Sequence, residues 1–133
     1  MIERTLVLIK PDAVADKNVG EILTRYEEAG LTLEAMELRR MTHDVAQQHY
    51  AEHVEKDFYE SLRDFMCSGP LVAAVLSGDD AIALVRELNG ATDPAKAEPG
   101  TIRADFAKTV RQNAVHASDS VESARREIAI WFN

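Results

Sequence analysis

Thr5-Leu6-Val7-Leu8-Ile9 is a short, unbroken apolar run of strand-forming residues. A strand without polar alternation is buried on both faces, as at the centre of a sheet. Lys10-Pro11-Asp12 ends the run, because proline has no N–H to give a ladder. Leu71-Val72-Ala73-Ala74-Val75-Leu76 has the same character and reads as a second central strand. Leu31 to Arg40 reads differently. Leu31, Leu33 and Ala35 hold one phase, Met36 and Leu38 the other, which describes an edge strand with a bulge or twist near Ala35. Val110 to Val115 is a weaker, fourth strand-like stretch.

Helices fill the gaps. Asn18 and Glu21 mark a start, Val19, Ile22, Leu23 and Tyr26 form the apolar stripe, and Gly30 is the stop. Thr42 to Val54 is helical, with Ala46, Tyr50 and His53 on one mildly polar face. That face lines a site or is simply half-buried surface. A second helix begins near Asp57, with Phe58, Leu62, Phe65 and Met66 as its stripe, and the pair suggests a clamp with Phe58 at the corner. Ala81, Leu84, Val85 and Leu88 follow the second central strand as an inward stripe, which leaves Arg86 off it. Thr92 to Gln112 lacks periodicity beyond one helical turn at Thr101 to Phe106, and loops of this length in a small domain are usually functional. The two doubly buried strands fall first and third in order, as the central strands of a split βαβ sheet do. The fold class expected is therefore α/β in the α+β sense: a ferredoxin-like βαββαβ sandwich, with helices covering a four-stranded antiparallel sheet. No glycine-rich turn follows the first strand, which argues against a Rossmann or P-loop site.

The whole chain sets bounds. Its 133 residues suit one domain, spanning 1–133, and with 46% hydrophobic residues it can build a core without staples. The one cysteine, Cys67, fits a reducing compartment. No apolar run approaches the ~20 residues that span a bilayer, and no signal-peptide shape precedes Thr5, so a cytoplasmic protein is expected. A net charge of −8 argues against nucleic acid or membrane as the main partner.

The chemistry concentrates in Asn113-Ala-Val-His-Ala-Ser-Asp-Ser120 and the helix after it. Ser118, Asp119 and Ser120 are helix-starting types, and Glu122 stands three after Asp119 in loose capping-box spacing. Val121, Ala124, Ile128 and Phe132 recur as a buried stripe. This puts His116 at a strand-to-helix junction, where free N–H groups favour anions. A neutral imidazole there is a nucleophile toward phosphorus, and Glu127 is spaced to reach back and orient it. The same local pattern also fits a histidine that only caps the helix or packs in the core.

Several stretches together resemble nucleoside diphosphate kinases. Asn113 to Glu122 is similar to that family's active-site signature and Thr5 to Asp12 to its first strand. Pro99-Gly-Thr-Ile-Arg-Ala-Asp-Phe106 resembles its pocket loop, and His49-Tyr-Ala-Glu-His53 its clamp helix. The resemblance implies transfer of the terminal phosphate of a nucleoside triphosphate to a nucleoside diphosphate, by a ping-pong route through phosphohistidine. It makes His116 the nucleophile, Glu127 its orienting acid and Ser118 part of the same hydrogen-bonded set. Lys10, Tyr50, Arg86, Thr92, Arg103 and Asn113 match positions that hold the nucleotide, Lys10 also assisting catalysis, and Phe58 matches the residue that stacks on the base. Mg²⁺ is expected to ride on the phosphates, without a dedicated protein cage. His53 is a pocket neighbour, and His43 and His49 read as surface. The family assembles as hexamers or tetramers built on a common dimer. The stretch around Pro94 to Pro99, which packs near the three-fold axis in hexamers, is intact, so a homo-hexamer is favoured. Ala117 departs from the family's usual glycine, and would be strained by about 1 kcal/mol if its φ were positive. The chain also ends at Asn133, where many members carry a further tail. The alternative reading is a non-catalytic ferredoxin-like module that binds a nucleotide as a regulatory signal.

Overall fold

The computed structural model describes residues 1–132. In chain order its elements are β1 (Ile2–Ile9), α1 (Pro11–Ala15), α2 (Val19–Glu28), β2 (Thr32–Arg40), α3 (His43–His49), a 3₁₀ turn at Ala51–His53, α4 (Tyr59–Met66), β3 (Pro70–Asp79), α5 (Ala81–Asn89), a 3₁₀ turn at Pro94–Lys96, α6 (Ile102–Phe106), β4 (Val115–Ala117) and α7 (Val121–Trp131). The sheet order is β2-β3-β1-β4 and every pairing is antiparallel. This is the ferredoxin-like arrangement, with the two uninterrupted apolar strands in the middle.

Side chains alternate across β1 and serve two cores. Val7 and Ile9 pack with Val72, Leu76, Ile22, Tyr26 and Val85 on one face of the sheet. Leu6 and Leu8 pack with Leu71, Ala73, Met66 and Trp131 on the other. β2 lies at an edge, and its register with β3 shifts between Leu33 and Ala35. That bulge accounts for the change of hydrophobic phase and turns Met36 and Leu38 outward, 51% and 65% exposed.

Five local expectations are corrected. The last strand is Val115–Ala117, not Val110 to Val115, because the backbone turns sharply at Asn113–Ala114 before it can pair with β1. His116 therefore sits within a strand, opposite Leu8, rather than at the junction with the helix. Ser120 caps α7 by accepting from the Ser123 N–H, so the Asp119–Glu122 box is not used. Val121 leaves the stripe at 46% exposure, and Ala124, Glu127 and Trp131 are the buried residues of α7. Phe58 likewise precedes α4 and is 43% exposed, while Tyr59 and Met66 point inward. The short helix α1 is too brief to show a periodicity in the sequence; Pro11 suits a first helical position, where no N–H is needed.

Candidate active site

Middle strand β1 and its edge neighbour β4 deliver two of the site's groups. β1 ends at Lys10, whose side chain is buried and donates from Nζ to Asn113 Oδ1 at 2.8 Å. Asn113 in turn donates from Nδ2 to the Thr92 carbonyl at 3.2 Å. β4 carries His116 beside them. These residues, with Tyr50, His53, Arg86, Arg103, Arg126 and Glu127, border a cleft of about 280 Å³.

His116 is held from behind. Its Nε2 lies 2.9 Å from Glu127 Oε1 on α7, so an Nε2–H donated there leaves the Nδ1 lone pair free. The Ser118 hydroxyl donates to the same oxygen at 2.9 Å and accepts the Leu6 N–H at 3.2 Å. Ser118 is fully buried, so it acts from behind Glu127 rather than from the cleft. Arg126 Nη2 lies 3.7 Å from Glu127 Oε2, while its Nη1 donates to the Gln48 and His49 carbonyls. The buried carboxylate is thus surrounded by donors, as a buried charge requires.

The cations differ in how they are held. Burial pushes the Lys10 ammonium down to about 8, with Arg103 acting the same way and Asp12 opposing. Arg103 donates to the carbonyls of Gly90 and Val115, both at 2.8 Å. Its Nε is buried without a partner, and burial lowers its proton affinity. Arg103 therefore braces the backbone on either side of the cleft that it charges. Arg86 and Thr92 are exposed at the rim. Phe58 stands outside the cleft lining, its ring 5.5 Å from that of His53.

His49 is the clear correction among the candidate residues. It is buried, not on the surface. Its ring meets that of His116 edge-on at 4.7 Å, and its Nδ1 accepts the Trp131 indole N–H at 3.1 Å. Burial, with the nearby His116 and Arg126, keeps its proton affinity well below the ordinary histidine value. Its signal was legible: Ala46, His49, Tyr50 and His53 are spaced i, i+3, i+4, i+7, one helical face. Arg126 carried no such signal, because the carbonyls it donates to, those of Gln48 and His49, lie 78 and 77 positions away. Ala117 is not strained, since positive φ among non-glycine residues falls on Lys17, Asp80 and Ala114.

A histidine oriented by a carboxylate, inside a cleft lined by Lys10, Arg86, Arg103 and Arg126, is built for phosphate chemistry. The family model described as nucleoside diphosphate kinase matches residues 3–133. The chain belongs to the nucleoside diphosphate kinase family. It is 65% identical to the nucleoside diphosphate kinase of Rhodococcus erythropolis, over 99% of this chain and 96% of that one. It is 59% identical to that of Mycolicibacterium smegmatis with the same coverage. Among solved structures, an Aquifex aeolicus nucleoside diphosphate kinase superposes with a TM-score of 0.97 at 45% identity, covering 100% of this chain and 96% of that one. The halophilic family member of Halobacterium salinarum, solved in complex with CDP, gives 0.96 at 42% identity, covering 100% and 89%. Family membership makes the chain a phosphotransferase from nucleoside triphosphate to nucleoside diphosphate and does not favour the non-catalytic alternative.

Proposed function

We propose that this kinase works by a ping-pong mechanism through phosphorylated His116, within one catalytic domain. The observation that carries the reading is the 2.9 Å contact between His116 Nε2 and Glu127, made at the wall of a cationic cleft. Nδ1 attacks the terminal phosphorus, the bond to the bridging oxygen breaks, and the nucleoside diphosphate leaves. A terminal oxygen of the second diphosphate then attacks the phosphohistidine, and the N–P bond breaks. Glu127 keeps Nε2 as the protonated nitrogen in both half-reactions and balances the charge of the ring. Lys10, Arg86 and Arg103 face the oxygens over which negative charge spreads. Asn113 and Lys10 hold the sugar and phosphate tail, with Tyr50 and Thr92 completing the wall. Phe58 offers an aromatic face that serves any base. The CDP held by the Halobacterium relative supports a nucleotide in this cleft.

The metal that rides on the nucleotide is read as Mg²⁺. The cleft's other carboxylates, Glu52 and Asp119, are exposed at the rim, and Glu127 Oε1 already serves His116 and Ser118. That donor set suits an ion which keeps its waters and has few protein ligands, and Glu52 and Asp119 are the residues that would help to hold it. When bound, it neutralises phosphate charge.

A homo-hexamer is the proposed assembly. The exposed apolar residues of edge strand β2 support pairing with a second copy. Among the described residues no helix is long and apolar enough to cross a membrane, in keeping with the cytoplasmic setting proposed.

Exposure to labelled ATP tests the mechanism. The wild type is expected to gain one acid-labile, base-stable phosphate by intact mass, and His116→Ala to bind nucleotide without gaining it. Persistence of the adduct in His116→Ala would overturn the assignment.

A further inference from the structure

The backbone just before the nucleophile strand is strained. Ala114 has φ 72°, and the Val115 N–H donates to the Asn113 carbonyl at 2.9 Å. An i to i+2 hydrogen bond at positive φ is a γ-turn of the rare, unfavourable hand. Alanine has none of glycine's freedom there, so surrounding structure must hold it. Two groups from the start of α1, its N-cap Lys10 and its first-turn Asp12, do so. The Lys10 N–H donates to the Ala114 carbonyl at 2.8 Å, and the Ala114 N–H donates to Asp12 Oδ2 at 3.1 Å.

Asp12 stands in the first turn of α1, yet its carboxylate reaches across to the turn before β4. It is 9% exposed, and its Oδ1 is buried without a partner. It does not border the cleft. A carboxylate kept in such a place has a task that an apolar residue would not perform.

We propose that Asp12 is a positioning residue for phosphoryl transfer: its carboxylate pins the γ-turn at Ala114, and the turn sets where His116 and Asn113 stand. The turn lies between Asn113, which is bound to the Lys10 ammonium, and Val115, which pairs with Ile9 and accepts from Arg103. One strained peptide therefore connects the groups that hold the nucleotide to the group that attacks it. Relaxing Ala114 to negative φ rotates the strand that carries the imidazole, and reacting groups displaced by an ångström lose most of their advantage. The inference rests on His116 being the nucleophile.

The test is single-turnover formation of the base-stable phosphoenzyme at saturating ATP, beside ADP affinity by calorimetry. Asp12→Ala is expected to slow the phosphorylation step about 100-fold. ADP affinity should change less than the rate, because Phe58 and Arg86 are not attached to the turn. Asp12→Asn retains an oxygen for the Ala114 N–H and is expected to recover most of the rate. Ala114→Gly removes the strain, so in that background Asp12→Ala should lose far less. Equal losses in both backgrounds, or equally slow Asp12→Asn and Asp12→Ala variants, would overturn the proposal. If Asp12→Ala alone fails to fold, the double variant decides: a folded, fast double variant supports positioning, and a slow or unfolded one refutes it. Absence of any phosphoenzyme in the wild type would instead sink the nucleophile assignment.

Discussion

Lys10 is a buried ammonium with Arg103, Asp12 and Arg111 for charged neighbours. With its folded value at about 8 and its ordinary value at 10.5, it loses its proton before the unfolded chain does. The sign follows from linkage: between those values the unfolded state binds more protons, so this group makes folding stronger as pH rises. Nucleotide binding is expected to run the other way if Lys10 meets the phosphates as proposed, because its charge disappears above about 8. Affinity of the nucleotide-free enzyme for ADP is expected to fall as pH passes 8, and this limb to vanish in Lys10→Met, as followed by calorimetric titration. Glu127→Gln keeps the shape and removes the charge. It is expected to lower the rate of His116 phosphorylation by roughly 100-fold with little change in ADP affinity, since orienting and charge-balancing groups act mainly on the transition state.

At the scale of elements, α7 is the piece that brings Glu127 and Trp131 to the site. Its N-cap is the Ser120 hydroxyl. Ser120→Ala is expected to cost about 1 kcal/mol, lowering the melting temperature by about 4 °C without abolishing phosphohistidine formation. Thermal melts monitored by circular dichroism check this. The elements were largely legible because their periodicities are local: the strand at Thr5 to Ile9, the helix at Val19, the bulge near Ala35. What escaped was set by distant partners. β4 begins at Val115 because that residue pairs with Ile9, and Val110, strand-like by type, is left 57% exposed. Val121 fits the helical stripe of α7 but is left 46% exposed, while Ala124, Glu127 and Trp131 are buried.

At the scale of the molecule, burial of His49 links the site to acid stability. Its folded proton affinity lies well below the ordinary 6.5, so the unfolded chain takes up a proton that the fold resists. This contribution to stability is full above about 6.5 and is lost as pH falls through that value. Thermal stability is expected to drop on acidification below 6.5, with a shallower drop in His49→Asn, whose amide oxygen still accepts the Trp131 N–H. Sedimentation at neutral pH is expected to give roughly 89 kDa, six chains of 14.8 kDa. A Met36→Lys, Leu38→Lys variant should lose mass if β2 forms the contact.

By itself the sequence determined the two-faced central strands, the helix periods between them and the residue types that phosphate transfer demands. Each of these is written in neighbours a few positions apart. Only the tertiary structure decided that Glu127 meets Nε2, that His49 lies buried against His116, that Arg103 bonds the carbonyls of Gly90 and Val115, and that Asp12 accepts the N–H of Ala114, whose φ is positive. The physical reason is range. A hydrogen bond such as that from Ala114 to Asp12 spans 102 positions, and no local pattern carries the angle at which two strands and a helix bring its ends together.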